Sequence, residues 1–269
     1  MAGAPSLVLF GAGRMGAALA RGWLKAKPKR VITVIEPNPS ADVSAWAEAG
    51  KIRLNAPPAP AAILVLAVKP QAFSGIAEAA SAFVGPKTLV VSIMAGVRIA
   101  QISRRLGTAR VVRAMPNTPG AIGQGITVFS AAPGLAAADL ETTRGLLEPL
   151  GDVHGPVDEQ MMSAVTALSG SGPAYLFLLA ETMAEAGESE GLPRELAQRL
   201  ARRTVEGAAA LMAMSPDSPE SLRRAVTSPG GTTQAALDIL MDTGGMPRLL
   251  RDALRAAATR DRQLSKEAD

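Results

Sequence analysis

Apolar residues fall in short unbroken runs through the first half of the chain. Leu7-Val8-Leu9-Phe10, Val31-Ile32-Thr33-Val34-Ile35, Ile63-Leu64-Val65-Leu66-Ala67-Val68, Leu89-Val90-Val91-Ser92-Ile93 and Arg110-Val111-Val112-Arg113-Ala114-Met115 read as five strands, and Thr127-Val128-Phe129 adds a sixth. A run that is apolar on nearly every residue has both faces buried, as inside a parallel sheet. Helical spacing marks 14–25, where Met15, Leu19 and Trp23 share a face, and also 44–49, 71–83 and 98–106. Alternating strands and helices predict an α/β fold built on a doubly wound parallel sheet.

After about residue 155 the strand pattern stops. Residues 158–169, 173–190, 193–213, 218–227, 232–242 and 246–265 read as helices, with turns at Gly191-Leu192-Pro193, Ser215-Pro216 and Gly244-Gly245. The chain therefore divides into a sheet domain over residues 1–155 and an all-α domain over 156–269. Residues 160–180 are nearly all uncharged, so the helices there are apolar around most of their circumference and need burial on several sides. Two arrangements stay open: a homodimer that exchanges helices, which the small size of the domain favours, or one central helix buried within a subunit.

Gly11-Ala12-Gly13-Arg14-Met15-Gly16 follows the first strand and opens the first helix. In a Rossmann-type unit the first glycine of such a turn allows the bend. The second lets the backbone approach a pyrophosphate, and the third lets helix and strand pack closely. The helix start adds free N–H groups and positive dipole. Glu36 ends the second strand, 20 residues after Gly16. An acid there accepts a hydrogen bond from a ribose 2′-hydroxyl and repels a 2′-phosphate, which tilts the reading toward NADH. The alternative is a solvated turn residue ahead of Pro37.

Composition narrows the chemistry. Among 269 residues there is no cysteine, one histidine (His154) and one tyrosine (Tyr175). Disulfides, thiol nucleophiles and thiolate metal sites are excluded. A metal would have to be held by carboxylates alone, and none is expected. The residue four places beyond Tyr175 is Leu179, so a Tyr-x-x-x-Lys proton relay is absent. His154 has no motif around it and is read as structural. The net charge of +4 comes mainly from arginine, no basic run exceeds a pair, and aromatics are 3% of residues, so nucleic acid is not an expected partner.

The N-terminal apolar stretch has no charged residue before it and runs into a glycine turn, unlike a signal peptide. Residues 114–138 are interrupted by prolines and glycines, and 160–180 by Ser169-Gly170-Ser171-Gly172-Pro173, so neither reads as a membrane span. A cytoplasmic location without membrane association is the expectation.

Four more motifs combine with the glycine turn: Ala67-Val68-Lys69-Pro70, Met115-Pro116-Asn117-Thr118-Pro119, Ser169-Gly170-Ser171-Gly172-Pro173-Ala174-Tyr175 and Ser228-Pro229-Gly230-Gly231-Thr232-Thr233. Together and in this order they resemble the pyrroline-5-carboxylate reductase family, from about residue 6 to about 265. The resemblance implies reduction of a cyclic imino acid to L-proline, the last step of proline synthesis, with NADPH or NADH. It implies an intertwined homodimer of the helical domains, with dimers often assembling further. It also implies cofactor contacts from Phe10 to Met15, and from Asn55, Ala67, Val68, Lys69, Pro70, Ala95 and Asn117. Substrate contacts are implied from Glu159, Ser228, Gly230, Gly231, Thr232 and Thr233. Two positions depart from the family pattern: Arg14, where asparagine is frequent, and Arg224, where an acid often precedes the second glycine motif. Family members commonly prefer NADPH, against the reading of Glu36, so the dinucleotide stays open here.

The implied reaction suits a chain poor in His, Cys and Tyr. A ring nitrogen protonated in water makes an iminium that accepts hydride, so the protein need only position the partners and exclude water. Gly230-Gly231 before a helix start would expose consecutive N–H groups to a substrate carboxylate. The competing reading is an ordinary helix cap. Thr233 is the candidate catalytic residue, hydrogen-bonded to the ring nitrogen, with Thr232 supporting the carboxylate. Glu159 is read either as ordering the site or as an acid at a helix start. Two other functions fit the sequence less well. A β-hydroxyacid dehydrogenase would need a lysine relay in its helical domain, and no lysine lies between Met115 and Lys266. A non-catalytic dinucleotide sensor would have no use for an anion cradle among the helices.

Overall fold

A computed structural model describes residues 6–26 and 31–267. Two compact units emerge, the first running to Gly170 and including the chain again from Ala257, the second spanning Ser171–Ala256. The division expected after residue 155 is thus displaced. The segment after the last strand stays with the sheet, as the buried Met162 and Ala167 show. A side chain at Gly170 would overlap Met115 at the end of a central strand.

The first unit carries eight strands: β1 (Leu7–Phe10), β2 (Ile32–Ile35), β3 (Arg53–Leu54), β4 (Ile63–Leu66), β5 (Leu89–Ser92), β6 (Val111–Met115), β7 (Gly125–Ala131) and β8 (Gly151–His154). Their order is β3-β2-β1-β4-β5-β6-β7-β8. The first six in that order are parallel, with Leu7 beside both Ile32 and Ile63. β7 is antiparallel to β6, and β8 parallel to β7. The expected parallel sheet is correct through β6, and the sixth expected strand reverses direction. β3 and β8 were not expected.

Helices α1 (Arg14–Ala26), α2 (Ala41–Glu48), α3 (Phe73–Ser81), α4 (Ile99–Leu106) and α5 (Ala137–Leu147) accompany the sheet. The strand pleat sends alternate residues to opposite faces. Leu7 and Leu9 pack with Leu19 and Trp23 of α1 and with Leu146 and Leu147 of α5. Val8 and Phe10 pack with Phe73 of α3 and with Ile99, Ile102 and Leu106 of α4. Trp23 Nε1 donates to the Leu146 carbonyl at 2.8 Å, satisfying its one polar atom inside that core.

From Glu159 to Ser189 the chain is helical except at Ser171: a 3₁₀ turn, α6 (Met162–Val165), a π-helical turn over Thr166–Gly170, then α7 (Gly172–Ser189). The break expected at Ser169–Pro173 falls at Ser171, a bend between the π-helical turn and α7 at the boundary of the two units. Proline sits at the start of α7, where its missing N–H costs nothing. By length and composition this stretch could cross a membrane, and little of it is buried. The second unit continues with α8 (Arg194–Met214), α9 (Pro219–Ala225), α10 (Thr232–Leu240) and the start of α11 (Met246–Glu267). α7 packs on α8, burying Ala184, Ala197 and Ala201, while Leu176, Phe177, Leu178 and Leu211 are exposed.

Candidate active site: a dinucleotide edge and a glycine-rich helix start

The strand order reverses at β1, which has β2 on one side and β4 on the other. Ligands of open α/β sheets bind beyond the strand C-termini at such a point. Phe10 and Gly11 follow from β1, Glu36 from β2, Ala67 to Pro70 from β4, Ala95 from β5 and Asn117 from β6. One edge of the first unit therefore gathers every cofactor-contact residue that the sequence singled out, including Asn55, which follows β3 and lies against Glu36.

Each glycine of the turn has its own reason. Gly11 has φ +89°, and a Cβ there would lie 2.6 Å from the Ala67 carbonyl oxygen. A Cβ at Gly16 would overlap the Gly11 carbonyl, which is the close helix–strand approach. At Gly13 a Cβ would meet nothing within 4 Å. That position is open, as the close approach of a pyrophosphate would require. The first turn of α1 contains no acid of its own, so its remaining N–H groups and dipole suit an anion. The residues present fit a dinucleotide.

Glu36 is anchored more firmly than the sequence suggests. Its Oε2 accepts the Ala12 N–H at 2.8 Å and its Oε1 accepts the Asn38 N–H at 3.0 Å. Asn55, at φ 50°, uses its whole amide on the Glu36 backbone, accepting its N–H at 2.9 Å and donating to its carbonyl at 3.0 Å. The Asn117 amide is also engaged, accepting from Ile126 N–H at 3.0 Å and donating to Ser169 Oγ at 3.2 Å. Met15 is half-buried beside the core, while Arg14 and Lys69 are exposed.

One cluster went unnoticed in the sequence. Arg113, in the middle of β6, lies 3.7 Å from Glu159 and 3.6 Å from Asp261 near the end of α11. Burial pushes its pKa below the ordinary guanidinium value, and the fields of Asp261 and Glu159 oppose that shift. Ser163 Oγ donates to Asp261 at 2.8 Å, and Glu159 Oε1 accepts the Ile99 N–H at the start of α4, at 2.7 Å. Glu159 is thus an acid at two helix starts, that of its own 3₁₀ turn and, through the Ile99 N–H, that of α4. The available signal was a charged residue inside an otherwise apolar strand.

In the second unit Gly230 turns at φ +69° and Gly231 caps α10 with no side-chain cap bond. No acid lies in the first turn. Ser228, Gly230 and Thr232 are exposed, and Gly231 and Thr233 partly so. Ser228 through Thr233 thus form one compact, uncapped helix start. Arg224, the departure from the family pattern, pairs with Glu220 at 2.7 Å.

Comparison with known proteins agrees with this geometry. Residues 159–264 match a model described as pyrroline-5-carboxylate reductase dimerisation, and residues 6–96 match one described as NADP oxidoreductase coenzyme F420-dependent. A pyrroline-5-carboxylate reductase of Pseudomonas aeruginosa is 39% identical over 98% of both chains. The chain belongs to the pyrroline-5-carboxylate reductase family. A plant relative of the same name, from Arabidopsis thaliana, is 35% identical over 96% of this chain and 94% of its own. Among solved structures, a pyrroline-5-carboxylate reductase from Coxiella burnetii superposes with a TM-score of 0.86 at 33% identity, covering 97% of this chain and 98% of that one. Its Plasmodium falciparum counterpart, solved with NADP bound, reaches 0.79 at 25% identity with the same coverage. The family confirms the fold expected from the sequence, a Rossmann-type sheet followed by a helical domain.

Proposed function

We propose that this chain reduces 1-pyrroline-5-carboxylate to L-proline at the expense of NADH or NADPH, with Ser228–Thr233 as the substrate cradle and Thr233 as the catalytic contact. The observation that carries the assignment is a pair of glycine-rich, acid-free helix starts, one per unit. Gly11–Gly16 opens α1 and Ser228–Thr233 opens α10. Membership of the family names the substrate.

The dinucleotide supplies the hydride. The substrate arrives as an iminium, its ring nitrogen already protonated in water. Hydride forms the new C–H bond, the C=N π pair moves onto nitrogen, and a neutral secondary amine results. The protein therefore supplies no proton at this step. The N–H groups at the start of α10 hold the carboxylate. The Thr233 hydroxyl accepts from the ring N–H and so fixes which carbon faces the hydride. Gly13 keeps the pyrophosphate path clear, and Glu36 orients the adenosine ribose.

We infer further that the working form is a homodimer built from the helical unit. Phe177 is 70% exposed, with Leu176 and Leu178 beside it, and Leu196, Leu200 and Leu211 are exposed on α8. A monomer rarely leaves so many large apolar side chains on two packed helices to water. The dimerisation match over residues 159–264 supports this reading.

Oxidation of NADH and NADPH on addition of 1-pyrroline-5-carboxylate, followed at about 340 nm, tests the activity. Turnover dependent on the imine is expected. No oxidation with either dinucleotide would overturn the assignment, and oxidation of a 3-hydroxy acid by NAD or NADP would favour the dehydrogenase instead.

A further inference from the structure

Family membership leaves the choice of dinucleotide open, and one relative was solved with NADP. We propose that this chain rejects the 2′-phosphate and takes NADH, with the Glu36 carboxylate as the discriminating group and Asn55 as the residue that positions it. The inference rests on the reading of the dinucleotide edge given above.

An acid at the end of β2 discriminates only if it cannot swing aside. Here it is pinned from both ends. One carboxylate oxygen takes the Ala12 N–H of the phosphate turn, the other the Asn38 N–H of its own turn. The backbone of the same residue is gripped at N–H and C=O by the Asn55 amide. Asn55 holds a left-handed conformation that asparagine tolerates better than most residues. Moving Glu36 away from the turn would break up to four hydrogen bonds together.

Each pinned oxygen retains a lone pair, so the carboxylate accepts readily from a ribose hydroxyl. A 2′-phosphate brings charge of the same sign and, when fully ionised, no proton to donate. Sites that accept that phosphate place arginine nearby. No lysine or arginine occurs from Val31 to Gly50, and Arg14, exposed in the phosphate turn, is the cation of the turn itself. Arg21, on α1, is engaged with Asp42 at 2.7 Å.

Titration of the purified full-length protein with NADH and with NADPH, without imine, measures the preference by calorimetry. Adenosine diphosphate and its 2′-phosphorylated form, titrated the same way, isolate the adenosine end. NADH should bind about 10- to 100-fold more tightly, the scale of a like-charge mismatch at a fitted site. Glu36→Gln should narrow that ratio by strengthening NADPH binding, and Asn55→Gly should narrow it less, with NADH binding retained. Equal or tighter binding of NADPH by the unmodified protein would overturn the proposal and leave the reductase assignment standing. An unchanged ratio in Glu36→Gln would also overturn it. Failure of both dinucleotides to bind would remove this proposal and the reading of the edge together.

Discussion

Arg113 Nη2 and Asp261 Oδ2 stand 3.6 Å apart with their side chains only 3% and 2% exposed. Arg113 Nη2 and Asp261 Oδ1 have no hydrogen-bond partner, so the pair is held by charge more than by hydrogen bonding. It ties the end of α11 to the centre of the sheet, helped by Gln101 Nε2, which donates to the Ser265 carbonyl at 2.7 Å. Removing one member of a buried pair strands the other, at a cost of about 3–5 kcal/mol. Arg113→Met leaves two carboxylates without their cation and should cost in that range. Asp261→Asn leaves Arg113 with Glu159 and should cost less, about 1–3 kcal/mol. Urea unfolding midpoints measure both. Losses within about 0.5 kcal/mol of zero in both variants would show that the pair does not anchor the helix.

The three glycines of the phosphate turn should separate folding from binding. Gly11→Ala and Gly16→Ala place a methyl against the Ala67 and Gly11 carbonyls, and the first also strains a backbone at φ +89°. Each should cost about 2–4 kcal/mol in thermal or urea unfolding. Gly13→Ala places its methyl in open space and should leave stability within about 0.5 kcal/mol. The same variant should weaken dinucleotide binding by about tenfold or more, because the methyl takes up space a pyrophosphate needs. Undiminished affinity in Gly13→Ala would place the pyrophosphate elsewhere.

Much of this was legible in the sequence because burial on both faces writes itself as unbroken apolar runs. β3 is only Arg53–Leu54, and β8 mixes Asp152 and His154 with Val153, so neither carries that mark. α5 buries only Thr143, Leu146 and Leu147, too weak a stripe to announce a helix. Strand direction is not encoded in periodicity, so the reversal at β7 was invisible. At the site, the glycine turn and Glu36 could be singled out directly, since both are local patterns at a strand end. The grip of Asn55 on Glu36, and of Asp261 on Arg113, depends on which distant segments the sheet brings together. The interruption at Ser169–Pro173 was legible because glycine and proline mark helix ends, and a bend at Ser171 separates the π-helical turn from α7 there.

The exposed apolar surface of α7 gives a test of assembly. Phe177→Asp adds a charge at a residue 70% exposed in the single chain, so the isolated subunit should fold with little loss. In a dimer that buries this face, the same charge would be desolvated without a partner. Light scattering after size-exclusion chromatography should show a dimer or larger species for the parent and a monomer or weakened dimer for the variant. An unchanged mass at micromolar concentration would remove this face of α7 from the interface.

The last expectation concerns the chemistry. Thr233 lies in the first turn of α10, partly exposed, on a helix whose start no side chain caps. No hydrogen bond holds that hydroxyl among the described residues, so replacing it should spare the fold and fall on catalysis. Loss of one well-placed hydrogen bond to the reacting group lowers kcat/KM by about 10- to 1000-fold. Thr233→Ala should lie in that range with unchanged unfolding and unchanged dinucleotide affinity, while Thr233→Ser should recover most of the rate. Thr232→Ala, if Thr232 steadies only the carboxylate, should raise KM more than it lowers kcat. Wild-type kinetics in Thr233→Ala would take that residue out of the mechanism and leave the backbone N–H groups of α10 to orient the imine alone.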